Sequence, residues 1–229
     1  MFQVLLWDVD NTLLDFSAAQ RHSLKAQFQK FGLGECTDEM VARYNEINNH
    51  FWRLLERGEI TKQQTLIGRF EAFFQNEGIT ADAAAFCEAY EKGTTDSVWF
   101  IENSCDLLAS LKGKVKQYAV TNGVLELQRI KLAKSGFDKI FDGVFISDEV
   151  GYEKPSMAYF DYVLDRIEPC RKEEMLIIGD SLTSDMTLGN NAGIPTCWYN
   201  PHGMPNNRGV KVDYEIRSLN EVLNIINIS

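Results

Sequence analysis

Several features that would place the chain in a specialised class of protein are scarce in its sequence. The five cysteines among 229 residues form no CxxC pair and the three histidines are equally scattered, so neither a disulfide framework nor a zinc site is indicated. No apolar run approaches the ~20 residues that a membrane-spanning helix needs, and the N-terminus lacks the basic and apolar regions of a signal peptide. These absences predict a soluble, cytoplasmic protein that has no membrane partner.

Positively charged residues are also few. Lysine and arginine total 23 against 33 aspartates and glutamates, which gives a formal net charge of −10, and no basic cluster offsets this excess. A broad surface for nucleic acid or for an anionic membrane is therefore not expected. A small anionic ligand is still compatible with the acidic chain, because a few local groups decide such binding.

The chain is rich in apolar residues, and these residues follow two different periodicities. Hydrophobic residues make up 45% of the sequence, which is enough for one large domain or for a core with a smaller lobe. Over residues 16–98 the apolar positions recur every three or four residues, which predicts an all-helical unit. Further along, apolar strands alternate with helical segments, as in a parallel sheet that is covered on both faces.

The first strand belongs with this later sheet. Residues 2–7 form a short apolar run of the kind that is buried in a parallel sheet. The simplest organisation is a doubly wound α/β core made of residues 1–15 and 99–229. Residues 16–98 are then a helical lobe inserted after the first strand.

Chemically active side chains collect where the predicted strands end. In chain order they are Asp8, Asp10, Thr121, Asn122, Asp148, Lys154, Asp180 and Asp185. Ligand sites of parallel sheets lie at the carboxyl ends of the strands, so we expect these side chains to converge. Carboxylates held close together repel one another, and a cation such as Mg²⁺, which prefers oxygen ligands, would relieve the repulsion.

Each of these motifs also has an ordinary structural explanation. "DVDNT" (8–12) can be a strand end followed by a helix cap, and "TNG" (121–123) can be a turn. "KP" (154–155) can be a solvated lysine that precedes a helix. The ordered occurrence of the motifs, each after a separate strand, favours one common site over unrelated coincidences.

Taken together, four stretches resemble the four ordered motifs of the haloacid dehalogenase superfamily. They are "DVDNT" (8–12), "VTNG" (120–123), "KP" (154–155) and "GDSLTSD" (179–185). An inserted helical cap after the first motif is the arrangement of the type-one cap members of that superfamily. The resemblance implies a Rossmann-like core with a helical cap, and a Mg²⁺-dependent phosphomonoesterase that acts through an aspartyl-phosphate intermediate.

The resemblance also implies roles for individual residues. Asp8 would be the nucleophile that attacks phosphorus, and Asp10 would be the general acid and base. Thr121 and the Asn122 amide would hold the phosphoryl oxygens. Lys154 would offset negative charge on the nucleophile and on the phosphoryl group.

Metal binding is implied in the same way. The ligands would be Asp8, Asp180, the backbone carbonyl of Asp10, and Asp185 either directly or through water. The carbon–halogen dehalogenases of the superfamily lack the second Asp of the first motif and need no Mg²⁺, so the presence of Asp10 favours phosphatase chemistry. Phosphomutases retain both carboxylates and are not distinguished by the core motifs.

A second, narrower resemblance is carried by four short stretches. They are "NNHFW" (48–52), "GEIT" (58–61), "GRFE" (68–71) and, in the core, "TCWYN" (196–200). These stretches are similar to the bacterial branch that removes phosphate from pyrimidine nucleoside monophosphates, including noncanonical ones. This similarity implies a 5′-nucleotidase in which Asn48, Trp52 and Arg69 of the cap recognise the nucleobase by stacking and hydrogen bonding.

Alternatives stay open at the level of the sequence. Trp52 fits the core of the helical lobe equally well, and Arg69 fits a surface pair with an acid such as Glu71. The enzyme could instead be a sugar-phosphate phosphatase or a phosphomutase. A non-catalytic ligand-binding or regulatory protein is the alternative of another class, although the full set of core motifs favours an enzyme. We expect a monomer or a small homo-oligomer.

Overall fold

A computed structural model describes residues 1–227, and within it the chain divides into two compact units. Residues 1–15 together with the chain from Val98 onward form the first unit. Phe16–Ser97 form the second. Among the described residues, no helix has both the length and the apolar character needed to cross a bilayer.

The second unit is helical. Within Phe16–Ser97, all of which the structure describes, the helices are α1 (Phe16–Lys30), α2 (Asp38–Glu56), α3 (Lys62–Glu77) and α4 (Ala83–Gly93). Local sequence signals set their ends. A capping box opens α3, because Gln64 N donates to Thr61 Oγ1 at 3.2 Å and Thr61 N donates to Gln64 Oε1 at 2.8 Å. Gly78 ends the same helix in the left-handed conformation at φ 66°.

Aromatic side chains fill the interior of this helical unit. The ring of Tyr44 stacks on Phe70 with centroids 5.2 Å apart, and Phe70 in turn lies 5.2 Å from Phe86. All three rings are fully buried. Burial of such large apolar surfaces from all four helices stabilises the unit far more than helix propensity alone.

The first unit is built on a single parallel sheet. Its strands, among residues 1–227, are β1 (Val4–Trp7), β2 (Lys116–Thr121), β3 (Gly143–Ile146), β4 (Met175–Gly179), β5 (Thr196–Tyr199) and β6 (Tyr214–Ile216). They lie in the order β3-β2-β1-β4-β5-β6. In the central strand, Trp7 pairs with Ala119 of β2 on one side and with Ile178 of β4 on the other. The direction of winding reverses between β1 and β4, and ligand sites of doubly wound sheets form at that reversal.

Helices cover both faces of the sheet. They are α5 (Ser104–Leu111), α6 (Leu125–Ser135), α7 (Ser147–Val150), α8 (Met157–Leu164), α9 (Thr187–Ala192) and α10 (Val222–Ile226). Alternate residues of β1 point to opposite faces. Leu5 and Trp7 join one buried cluster with side chains of α5 and α10, whereas Val4 and Leu6 join another with side chains of α8 and α9. The predicted fold class, a doubly wound parallel sheet with an inserted helical segment, is confirmed.

Two local features of this unit differ from the sequence-based expectation. β6 was not predicted, because a three-residue edge strand is too short to show a period of two. The helical segment that follows β4 begins with a wide π-helical turn at Leu182–Met186, rather than a regular α-helical turn, and continues as α9. That turn carries Asp185, and π-helical turns occur frequently at functional sites.

Candidate active site

The ends of β1 and β4 are joined by the hydroxyl group of Thr12. Thr12 Oγ1 donates to Asp8 Oδ2 at 3.0 Å and accepts from Asp180 N at 3.1 Å. The chain reaches this position because Asn11 adopts a left-handed conformation with φ 62°, which turns Thr12 back toward Asp8. Thr12 is fully buried. No role for it was predicted, although its place four residues after Asp8 in "DVDNT" was a usable signal.

Lys154 connects two of the predicted carboxylates. Its Nζ lies 2.8 Å from Asp8 Oδ1 and 2.6 Å from Asp185 Oδ1, and it donates a third hydrogen bond to the carbonyl of Val120 at 2.7 Å. These contacts use all three donors of the ammonium group, whose residue is only 1% exposed. The lysine that follows the third strand is therefore an integral part of the site.

Asn122 positions that lysine. The Asn122 side chain accepts from Lys154 N at 2.8 Å and donates to Lys154 O at 3.0 Å. The carboxamide is thus occupied by the backbone of Lys154, so the contribution of the Asn122 side chain is the placement of Lys154. Any direct contact of Asn122 with a phosphoryl oxygen would fall to its backbone N–H.

Asp185 is held by a close approach of the backbone. Its Oδ2 accepts from Ser181 N at 3.1 Å. A Cβ atom added to Gly179 would lie 2.2 Å from that same Oδ2, so only glycine leaves room for the carboxylate. In the "GD" pair of the fourth motif, Gly179 therefore leaves space for the Asp185 carboxylate, and Asp180 supplies a carboxylate of its own.

The carboxylates of Asp8, Asp180 and Asp185 form one cluster in the structure. Each offers an oxygen atom, and these oxygens lie within 4.8 Å of one another. The ammonium group of Lys154 pairs with two of these carboxylates, those of Asp8 and Asp185. Oxygen-only donors are those that hard divalent cations such as Mg²⁺ prefer, and the residues present fit such an ion.

The ionisation of this cluster reflects burial and mutual repulsion. Burial raises the pKa of Asp8 to about 7, although the nearby Lys154 acts in the opposite direction. Burial and the charges of Asp8 and Asp185 raise the pKa of Asp180 well above its usual range. Burial alone would lower the pKa of Lys154, but the charges of Asp185 and Asp8 raise it above its ordinary value, so the ammonium group stays protonated.

Asp10 is held by a different set of partners. Lys131 Nζ lies 2.7 Å from both carboxylate oxygens of Asp10, and Gln128 Nε2 donates to Asp10 Oδ2 at 2.8 Å. Gln128 Nε2 also donates to Thr121 Oγ1 at 2.8 Å, so one amide links two predicted site residues. Neither α6 residue was identified from the sequence. Their spacing of three residues, which puts two polar side chains on one helix face, was the available signal.

The carboxylate of Asp148 contacts the start of α6. Its Oδ2 accepts from Leu125 N at 3.1 Å, at the first residue of α6. The aspartate that follows β3 therefore satisfies a free N–H group at a helix N-terminus, which is a structural function.

The polar residues predicted in the cap are engaged with each other inside the helical unit. Arg69 Nη1 donates to Asn48 Oδ1 at 2.7 Å, Arg69 Nε donates to the carbonyl of Leu66 at 3.2 Å, and Nη2 pairs with Glu91. This arrangement differs from the expectation that Asn48 and Arg69 offer polar groups to a nucleobase, because a buried guanidinium must satisfy its donors locally. Trp52 is half-buried.

The model of the haloacid dehalogenase-like hydrolase family matches residues 5–199. The chain belongs to this family. The match contains every core residue for which a catalytic or metal-binding role was predicted, and it confirms the family that the four motifs resemble.

Three bacterial relatives match this hydrolase over nearly its whole length. The HAD-hydrolase YfnB of Bacillus subtilis is 38% identical over 99% of this chain and 96% of its own. The pyrimidine 5′-nucleotidase PynA of Streptococcus pneumoniae is 34% identical, with 98% of this chain and 95% of its own covered. The pyrimidine 5′-nucleotidase YjjG of Escherichia coli is 30% identical, with 95% of each chain covered.

YfnB also has a closely similar solved structure. The crystal structure of YfnB bound to magnesium superposes on this hydrolase with a TM-score of 0.93 over 99% of both chains. The predicted class of enzyme, a haloacid dehalogenase-type phosphatase, is confirmed by these comparisons.

Proposed function

We propose that this hydrolase is a Mg²⁺-dependent phosphomonoesterase that removes phosphate from pyrimidine nucleoside monophosphates through an aspartyl-phosphate intermediate. The observation that carries the proposal is the contact of Lys154 with Asp8 and Asp185, within a cluster of carboxylates that Asp180 completes. A separate carboxylate, that of Asp10, is held by α6 beside this cluster.

The first half of the reaction uses Asp8 as nucleophile. A carboxylate oxygen of Asp8 attacks phosphorus, and the bond between phosphorus and the nucleoside 5′-oxygen breaks. Asp10 donates a proton to that departing oxygen. Lys154, Thr121 and the backbone N–H of Asn122 stabilise the negative charge of the phosphoryl group during the transfer.

The second half of the reaction reverses the role of Asp10. Its carboxylate takes a proton from a water molecule, whose oxygen attacks phosphorus and displaces Asp8. Inorganic phosphate is released and Asp8 is regenerated. One carboxylate cannot serve as both nucleophile and proton carrier, which explains why the first motif contains two.

Asp8, Asp180 and the backbone carbonyl of Asp10 would hold the Mg²⁺ ion, which when bound supplies positive charge beside the nucleophile and the phosphoryl oxygens. Both oxygens of Asp185 already accept hydrogen bonds, from Lys154 and from Ser181. Asp185 would therefore serve the ion through water, whereas it contacts Lys154 directly. The all-oxygen donor set and the magnesium bound by the similar YfnB support this choice of ion.

The similarity to PynA and YjjG supports the choice of substrate. The side chains at the ends of the strands recognise only a phosphoryl group, so the preference among leaving groups must arise elsewhere. The helical segment 16–98, proposed to act as the cap domain, is the largest part of the chain that the core does not use. A small phosphorylated metabolite is thus the partner, and a cytoplasmic location belongs to the same proposal.

Phosphate release from a panel of esters tests this function directly. The panel contains pyrimidine and purine nucleoside 5′-monophosphates, hexose and triose phosphates, and p-nitrophenyl phosphate, each with and without added Mg²⁺. We expect the highest kcat/KM on a pyrimidine nucleotide. Preference for a hexose phosphate would contradict the nucleotidase function and leave the phosphatase intact. Absence of release from every ester, together with phosphate transfer between sugar positions, would identify a mutase, and absence of both would favour a non-catalytic protein.

Substitution of Trp52 tests whether the helical unit selects the leaving group. Trp52→Ala is expected to lower kcat/KM for the preferred nucleotide. The loss should correspond to on the order of 1–3 kcal/mol of transition-state binding free energy, which is the contribution of one stacking contact with a base. The loss for p-nitrophenyl phosphate should be much smaller, because that ester presents no base.

The neighbouring aromatic residue supplies the matched control. Phe51 packs on Gly68 within the helical unit, where a Cβ atom on that glycine would lie 2.7 Å from the Phe51 ring. Phe51→Ala should therefore reduce stability and affect both substrates alike. Equal losses on both substrates from Trp52→Ala would show that Trp52 acts in packing.

A further inference from the structure

Two residues of α6 hold the Asp10 carboxylate from one side. Lys131 contacts both oxygens at 2.7 Å, and Gln128 donates to one of them at 2.8 Å. The residues lie one helical turn apart, so their side chains emerge on the same face of α6. Both are buried, Gln128 with 1% and Lys131 with 5% of its surface exposed.

The Gln128 amide is itself fixed by its surroundings. Its Nε2 contacts Asp10 Oδ2 and Thr121 Oγ1 at 2.8 Å each, and a Cβ atom on Gly123 would lie 2.7 Å from the same nitrogen. Gln128 Oε1 is buried and has no hydrogen-bond partner among the described residues. The nitrogen also lies 3.4 Å from the carbonyl oxygen of Asn122. The acceptors around the nitrogen therefore set the orientation of the amide.

Stability alone gives a poor explanation of this arrangement. A buried ion pair contributes little net stability, because desolvation of the ammonium and the carboxylate offsets their attraction. A buried amide oxygen without a partner costs free energy. What the arrangement does provide is one amide nitrogen that contacts both the carboxylate of Asp10 and the hydroxyl of Thr121.

We propose that Gln128 and Lys131 are positioning residues, which fix the position of the Asp10 carboxylate relative to the phosphoryl group bound at Thr121. The proposal rests on the proposed function, in which Asp10 transfers the proton to the leaving oxygen. A displaced carboxylate would still be present in the site, but it would no longer reach that oxygen. Loss of either residue therefore impairs the proton transfer and spares the nucleophile.

A pair of esters that differ only in leaving group isolates this step. Phenyl phosphate needs a proton on its departing oxygen more than p-nitrophenyl phosphate does, while the two esters have nearly the same shape. Lys131→Met and Gln128→Met are each expected to lower kcat/KM for phenyl phosphate about tenfold more than for p-nitrophenyl phosphate, a part of the effect that a general acid supplies. A purely structural role would lower both values equally and leave their ratio unchanged.

Control variants test whether the effect depends on the position of the lysine charge on α6 and whether each variant is folded. Lys134→Met removes the same charge from an exposed position of the same helix and should leave the ratio unchanged. Lys131→Arg keeps the charge and the donors and should restore most of the ratio. Thermal unfolding of each variant shows whether it is folded, and Gln128→Met supplies the test if Lys131→Met does not fold.

Asp10→Asn distinguishes a failure of this proposal from a failure of the proposed function. In that background the further change Lys131→Met should leave the ratio unaltered, because both changes act on the same step. If Asp10→Asn alters the ratio but neither α6 variant does, the positioning role is wrong and the acid–base role of Asp10 stands. If Asp10→Asn leaves the ratio unaltered, both roles are wrong.

Discussion

Asp8→Asn is expected to reduce phosphate release by at least about 10⁴-fold, as removal of a catalytic nucleophile does in other enzymes. The carboxamide is nearly the same size as the carboxylate, but it is too weak a nucleophile to attack phosphorus and form the acyl phosphate. In the parent protein, Lys154 donates to Asp8 Oδ1 and Thr12 donates to Asp8 Oδ2. In the variant the carboxamide oxygen can still accept from Lys154, and the nitrogen that replaces Oδ2 can donate to Thr12 Oγ1.

The same variant should remain folded, and without metal it should be at least as stable as the parent protein. Burial raises the pKa of Asp8 in the folded protein from 3.8 to about 7. The charged carboxylate therefore destabilises the folded state progressively as the pH rises above 3.8, and the cost is complete above about pH 7. A neutral side chain removes this cost, so the Tm of metal-free Asp8→Asn at pH 8 should equal or exceed that of the parent.

Rapid quenching of the parent protein with a labelled substrate should place the phosphoryl group on residue 8. Asp138→Asn, at an exposed aspartate of the same unit, is the matched control and should keep full activity. Peptide mass analysis excludes deamidation of the Asp8→Asn variant during the assay. Near-normal turnover by a variant that has passed this check would contradict covalent catalysis by Asp8.

Removal of divalent metal should stop phosphate release, and added Mg²⁺ should restore it. Lys154, which pairs with Asp8, is shared with Asp185, so the ion would supply further positive charge beside the nucleophile. Asp180→Asn should raise the Mg²⁺ concentration needed for half-maximal activity, since it removes one ligand and leaves Lys154 in place. Ca²⁺ should inhibit, because its larger and looser coordination misplaces the nucleophile.

The effect of Mg²⁺ on thermal stability should depend on pH. Burial raises the pKa values of Asp8 and Asp180, so protons compete with the cation at acidic pH. The increase in Tm on addition of Mg²⁺ should thus be larger at pH 8 than at pH 5.5, and it should shrink in Asp180→Asn. Full activity in the presence of chelator, after metal analysis of the protein, would contradict a metal-dependent mechanism.

Several features of this protein were determined by short stretches of its sequence. The capping box at Thr61, the end of α3 at Gly78 and the strand before Asp8 each depend on residues within a few positions of one another. The same holds for the four motifs, because each lies where its own strand ends. The parallel sheet then brings those ends to one edge, which is why the fold class and the cluster of Asp8 and Lys154 followed from the sequence.

The partners of long polar side chains were decided only by the tertiary structure. Gln128 and Lys131 reach Asp10 across 118 and 121 residues of chain, and nothing local in α6 specifies that contact. Arg69 and Asn48, which the sequence suggested for a nucleobase, instead satisfy each other within the helical unit. Hydrophobic periodicity and capping act within one or two helical turns, whereas a buried donor takes whichever acceptor the packed chain brings within about 3 Å.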